Sequence, residues 1–298
     1  MNVGFLIMYA DINGSRLFFD ITGLQYEADG PQLKEKPVCL VFHGGPGSSH
    51  LHYLPSILEL SQTMQLIFID DRNCGKSERG DLSTSTLKQN AADGEALRKY
   101  LGLDKVFVLG HSYGGMTVQR FTIDYPESIY GAIVVCSSPS HRFQDTAEEV
   151  VKRRGTPEQL QTYRDTFKGE SKLELLEFLG IMDNLYHYRY NDEIKQEVIN
   201  SNLRGEGWAS SELCQYQMFG ELKSFDLIPE LKNVKVPMLI LGGKEDFITA
   251  PVHSEEIHEA VKGSELHIVE NCSHEIWDDR PDYIFPTIIE FVERNYKK

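Results

Sequence analysis

The stretch Val106-Phe107-Val108-Leu109-Gly110-His111-Ser112-Tyr113-Gly114-Gly115-Met116 decides how this chain folds. Val106 to Leu109 is short and continuously apolar, as expected of a strand buried on both faces. From Met116 to Tyr125 the pattern becomes helical. Between the two lies G-x-S-x-G. A serine at so sharp a strand-to-helix turn needs small neighbours, because bulkier side chains would collide with the adjacent chain. Such a turn, the nucleophile elbow, lifts the Ser112 hydroxyl out at the end of the strand. It also aims the following helix N-terminus at the reaction centre, where negative charge is stabilised.

Outward from this turn, strand and helix signals alternate. Arg16 to Asp20 follows an Asn13-Gly14 turn and reads as part of a hairpin. Val38–Phe42, Leu66–Ile69 and Ala132–Cys136 are further apolar runs. Leu87, Ala91, Leu97 and Leu101 recur near the helical period. This alternation predicts an α/β protein with a mostly parallel central sheet flanked by helices, and the elbow after Val106–Leu109 points to the α/β-hydrolase fold. The texture changes after Pro139. From there to Lys232 charged, helix-compatible stretches take over, at Glu158–Phe167, Lys172–Met182 and Asn191–Leu203, with dense aromatics. They predict a helical cap over residues 139–232, inserted between core segments 1–138 and 233–298. The sheet pattern resumes at Pro237–Leu241 and Leu266–Val269, with helices near Val252–Val261 and Tyr283–Tyr296.

The chain has 298 residues, 41% hydrophobic and 25% charged, which suits a soluble globular protein. A formal net charge of −15 argues against nucleic acid and anionic membrane surfaces as partners. Five scattered cysteines without C-x-x-C suggest neither a zinc site nor a disulfide framework, and fit a reducing cytoplasm. The apolar patch from Met1 to Met8 lacks a basic flank and is too short for a signal peptide or a membrane span. Either methionine is a candidate start.

A serine hydroxyl attacks poorly until a base takes its proton, and an acid usually orients that base. In doubly wound hydrolases the order is serine, acid, histidine, each on a loop after a strand. His274 lies five residues past the run ending at Val269, so it sits on a late loop. Its competitors fit less well: His267 is inside a strand run, His253 and His258 are on an expected helix, and His187 is in the cap. Asp246, in Gly242-Gly243-Lys244-Glu245-Asp246, follows the Met238–Leu241 run and is the expected acid. Glu245 and an acid on the loop after Cys136 are its rivals. The oxyanion needs backbone N–H donors. Tyr113, next to the nucleophile, supplies one. Gly45, with Gly44 next in line, supplies the other from the glycine-rich loop after Val38–Phe42. An aspartate at position 112 would be needed for epoxide or haloalkane hydrolysis. The expected chemistry requires no metal, nucleotide or flavin.

The loop His43-Gly44-Gly45-Pro46-Gly47-Ser48-Ser49-His50 resembles the HGGPG signature of the proline iminopeptidases. Asp70-Asp71-Arg72-Asn73-Cys74-Gly75-Lys76-Ser77 resembles their D-Q-R-G-x-G-x-S segment, and Gly110 to Gly115 their G-x-S-x-G-G elbow. The likeness reaches the Asp246 and His274 loops and fades in the cap. The segment departs from the family at Asp71 and Asn73, where glutamine and glycine are typical, and both residues are expected to shape the active-site floor. The resemblance implies release of an N-terminal residue, often proline, from small peptides or amides. Such a substrate carries an ammonium group, which a cap carboxylate pair should neutralise. Glu212 and Glu221 are the candidates, beside Trp208 and Tyr216. Two other readings use the same residues. One is an esterase or lactonase on an uncharged acyl substrate, its pocket lined by cap aromatics. The other is a ligand receptor on a hydrolase scaffold.

Overall fold

Strands buried on both faces build the centre of one large sheet. A computed structural model of the chain describes residues 8–170, 173, 175–190, 196 and 209–297. Its strands are β1 (Tyr9–Ile12), β2 (Ser15–Thr22), β3 (Tyr26–Asp29), β4 (Gln32–Glu35), β5 (Val38–Phe42), β6 (Gln65–Ile69), β7 (Val106–His111), β8 (Ile129–Val135), β9 (Met238–Gly243) and β10 (Glu265–Val269). Eight of them form a sheet in the order β1-β2-β6-β5-β7-β8-β9-β10. The β1–β2 hairpin and the β2–β6 pair are antiparallel, and every neighbour from β6 onward is parallel. The outlying β3–β4 ribbon has no counterpart in the sequence reading.

The longer helices are α1 (Leu87–Tyr100), α2 (Tyr113–Asp124), α3 (Phe143–Arg154), α4 (Pro157–Lys168), α5 (Leu175–Tyr186), α6 (Ser211–Phe219), α7 (Pro251–Ala260) and α8 (Pro281–Asn295). Successive strand residues point to opposite faces. Leu40, Val108, Val134 and Ile240 therefore join one apolar cluster with Leu97 of α1, Phe121 of α2 and Ile257 of α7. Val41, Leu109, Val135 and Leu241 join the other, with Ile288 and Phe291 of α8. Strands β5 and β7 are buried along their whole length. Each fully buried aliphatic side chain contributes roughly 1.5–3 kcal/mol, so the sheet centre is rigid where it carries the site.

Helices α3 to α6 form the helical segment. Its ends meet at an antiparallel bridge between Ser140 and Asp226. There the His141 N–H donates to the Phe225 carbonyl and the Leu227 N–H to the Pro139 carbonyl. Helix α4 begins at a reciprocal cap, in which Thr156 and Gln159 bond each other's backbone, with Pro157 in the first turn. It ends at Gly169, whose φ of 78° suits glycine. Phe143, Tyr163, Phe178 and Met182 belong to the same apolar cluster as the sheet, so the segment is packed onto the core. Helix α2 starts at Tyr113, three residues before the helical pattern begins in the sequence, because Gly114 and Gly115 mask that period. The expected helix at Asn191–Leu203, apart from Gln196, and Trp208 lie outside the described residues. Among the described residues, no helix is long and apolar enough to cross a membrane.

Candidate active site

Ser112 joins β7 to α2 with φ 57° and ψ −122°, a conformation that costs a non-glycine residue about 1–3 kcal/mol. Its surroundings hold it there. The Ser112 N–H donates to the Val135 carbonyl at 2.9 Å, and the Ser137 hydroxyl donates to the Ser112 carbonyl at 2.8 Å. A Cβ at Gly110 would collide with the Gly114 carbonyl, and one at Gly114 with the Phe42 carbonyl. The two glycines of G-x-S-x-G thus let the elbow press against itself and against β5.

Two loops at the same end of the sheet bring the expected base and acid together. The His274 Nδ1–H donates to Asp246 Oδ2 at 2.8 Å, and both side chains are buried. Asp246 also accepts from the N–H groups of Ile248 and Thr249 at 2.9 and 3.0 Å, and from the Thr249 hydroxyl at 2.8 Å. Burial alone would raise the Asp246 pKa. The His274 imidazole and the Thr249 donors outweigh it, so the pKa falls and the carboxylate stays ionised. With Nδ1 committed to Asp246, neutral His274 presents Nε2 as a proton acceptor. Glu245, the rival acid, faces Arg154 at 3.6 Å with 40% of its side chain exposed. The loop after Cys136, Ser137-Ser138-Pro139-Ser140, holds no acid.

Ser112, His274, Tyr113, Gly44 and Gly45 line one cavity. As the first residue of α2, Tyr113 has no carbonyl one turn back to take its N–H. Gly45 has φ 121°, where a side chain would be strained and a Cβ would press on the N–H groups of Gly47 and Ser48. His43 is structural. Its Nε2 accepts from the Asp71 N–H at 3.1 Å, so Nδ1 carries the proton and donates to the Gly44 carbonyl at 2.7 Å. That bond turns the Gly44 oxygen toward His43 and the Gly45 N–H, on the opposite edge of the same peptide, away from it. Asp70 braces the far end of the loop by accepting from His50 Nδ1 and the His50 N–H at 2.8 and 2.9 Å.

The expected amine-binding residues do not gather here. Glu212 and Tyr216 are exposed on α6, and neither lines the cavity. Glu221 does not line it either. Its carboxylate accepts from the Leu87 N–H at 3.0 Å, where the start of α1 offers free donors. In α6, Cys214 and Met218 face the cavity instead, because they occupy the inward stripe. Phe143, Phe167, Phe178, Tyr186 and Phe219 supply aromatic walls. Among the described residues, the one carboxylate in the lining is Glu275, which meets His52 at 3.2 Å.

Asp71 and Asn73 are buried beneath the site and do not line it. Asp71 accepts from Asn90, which also reaches the Tyr113 hydroxyl. Asn73 has φ 64°, the left-handed region that asparagine tolerates best after glycine. Its side chain donates to Ser85 Oγ and accepts from the Gly80 N–H. His111, Cys136 and His274 form the one group of three possible metal donors among the described residues. Burial raises the Cys136 pKa, which keeps that thiol protonated. Thr249, His111 and Glu275 escaped the sequence reading. Of these only Glu275 had a signal, its place beside His274. His111 Nε2 lies 2.9 Å from the His274 carbonyl, and burial lowers the imidazole pKa to about 3.

A family model described as alpha/beta hydrolase fold matches residues 37–281. A proline iminopeptidase of Thermoplasma volcanium is 26% identical, with 96% of each chain covered. Among solved structures, the proline iminopeptidase of Mycobacterium smegmatis superimposes with a TM-score of 0.76 at 17% identity, over 97% of this chain and 98% of that one. The enol-lactonase of Burkholderia xenovorans does so with a TM-score of 0.70 at 20% identity, over 96% and 100%. These two likenesses speak to the fold. The resemblance to proline iminopeptidases noted in the motifs extends along nearly the whole chain. Elbow, strand order and matched model agree: this chain is a hydrolase and belongs to the α/β-hydrolase fold family.

Proposed function

We propose that the chain is a serine hydrolase working through an acyl-enzyme, and that it releases an N-terminal residue from small peptides or amides. The observation that carries the chemistry is the His274–Asp246 bond facing the cavity that Ser112 also lines. His274 Nε2 takes the Ser112 proton as Oγ bonds to the acyl carbon, and the carbonyl electron pair moves onto oxygen. The N–H groups of Gly45 and Tyr113, with Gly44 beside them, receive that oxyanion. Its collapse expels the amine, protonated by His274. Water then enters by the same route, giving the acid and restoring Ser112. Residues 139–232 act as the cap that shapes the acyl pocket. The peptide preference is drawn from the curated proline iminopeptidases that this chain resembles over most of its length.

The mainly aromatic and aliphatic wall from the helical segment favours a second reading, an esterase or lactonase on an uncharged acyl group. Turnover of proline β-naphthylamide beside p-nitrophenyl acetate separates the two. Amide cleavage that Ser112→Ala abolishes is the expected result. Ester cleavage alone, equally abolished, would move the assignment to esterase or lactonase.

A further inference from the structure

Among the described residues that line the cavity, Glu275 is the one carboxylate. His52, on the turn after the glycine-rich loop, and Glu275, directly after His274, both line it and lie 3.2 Å apart. Glu275 keeps 12% side-chain exposure and His52 34%, so the carboxylate sits inside and the imidazole toward solvent. The Glu275 N–H donates to the Tyr186 carbonyl at 2.9 Å, fixing this corner against α5. An ionised carboxylate in this setting needs a counter-charge, and His52 supplies one at Oε1: burial lowers the imidazole pKa, but the Glu275 carboxylate outweighs this and raises it. Burial would raise the Glu275 pKa, yet the facing His52 more than reverses this, so Glu275 remains charged. The α-ammonium of an aminoacyl group lies two bonds from the acyl carbon. Its counter-ion must therefore share the cavity with the base, as Glu275, which lines it together with Ser112 and His274, does and the exposed Glu212 does not.

We infer that Glu275, supported by His52, is the anionic subsite that receives the substrate's α-ammonium group, so that charge selection resides on the core loop of the base and not on the helical segment. This rests on the proposed acyl chemistry at Ser112, but not on amide cleavage as such. The substrate ammonium enters beside His52, shares its carboxylate and thereby places the acyl carbon at Ser112.

The test compares the methyl esters of proline and of cyclopentanecarboxylic acid, near-isosteric acyl groups that differ in the amine, by chromatography of the released acids. Glu275→Gln is expected to lower kcat/KM on the proline ester about ten-fold or more, and to change the cyclopentane ester less than about two-fold. Glu275→Asp, which keeps the charge, is expected to restore part of the difference. Equal losses on both esters would make Glu275 a positioning residue for His274 and overturn the subsite, as would no change on either. Proline β-naphthylamide separates this inference from the functional reading. An uncleaved amide with discrimination between the esters lost in Glu275→Gln sinks the aminopeptidase and keeps the subsite. A cleaved amide indifferent to Glu275→Gln does the reverse.

Discussion

The two walls of the cavity are built on different principles. On the core wall each polar group stands on a turn clamped by buried hydrogen bonds: Ser112 by Val135 and Ser137, Asp246 by Ile248 and Thr249, and the Gly44 carbonyl by His43. On the wall from the helical segment, side chains such as Phe178 and Met218 reach the cavity from helices held mainly by apolar packing. Directional bonds fix atoms to within fractions of an ångström, as acyl transfer requires. Apolar packing tolerates exchange of shape and volume. On the proposed reading, one wall sets the reaction and the charge of the acyl group, and the other sets its apolar shape.

Substitutions can break this division. Ser112→Ala should have the largest effect, lowering turnover by at least about 10⁴-fold with an unchanged melting curve. Residual rates near wild type would place the nucleophile elsewhere. Asp246→Asn should follow, with a fall in kcat of about 10³–10⁴-fold, because an amide can hold His274 in the wrong tautomer. On the opposite wall, Phe219→Ala should raise KM for apolar acyl substrates about 3–10-fold and leave kcat within about two-fold. A large loss of kcat there would show that the helical segment takes part in the chemistry.

The smallest effect lies beneath the core wall and concerns stability. Burial, followed by the neighbouring Asp93 and Asp70 carboxylates, raises the Asp71 pKa well above its ordinary value. The folded chain thus keeps a proton that the unfolded chain has lost above about pH 4. That contribution is complete below this pH and is lost as pH climbs toward the folded pKa. Asp71→Asn should raise Tm by about 2–4 °C at pH 8, the gain vanishing near pH 4. A gain independent of pH would mean that Asp71 is not the titrating group.

The same division governs what could be read from sequence. The core wall was legible because its constraints are steric and local. Gly110 and Gly114 must be small, Ser112 must sit between strand and helix, and Asp246 and His274 must follow strands β9 and β10. The helical segment was harder to read. Its helical nature and its aromatics were visible, but which face of α6 points inward depends on how the segment docks. Glu212 and Glu221 look alike as letters, yet one is exposed and the other caps α1, a contact across 134 positions. Glu275 was overlooked for a related reason: its partner His52 is 223 residues away.

The central claim is that Ser112, activated by His274 and Asp246, is the nucleophile of this cavity. A fluorophosphonate probe tests it most directly, with the adduct located by intact mass and peptide mapping. One adduct is expected, on Ser112, formed much more slowly in Asp246→Asn and absent from Ser112→Ala. An adduct on another residue, or labelling that Asp246→Asn leaves untouched, would contradict it.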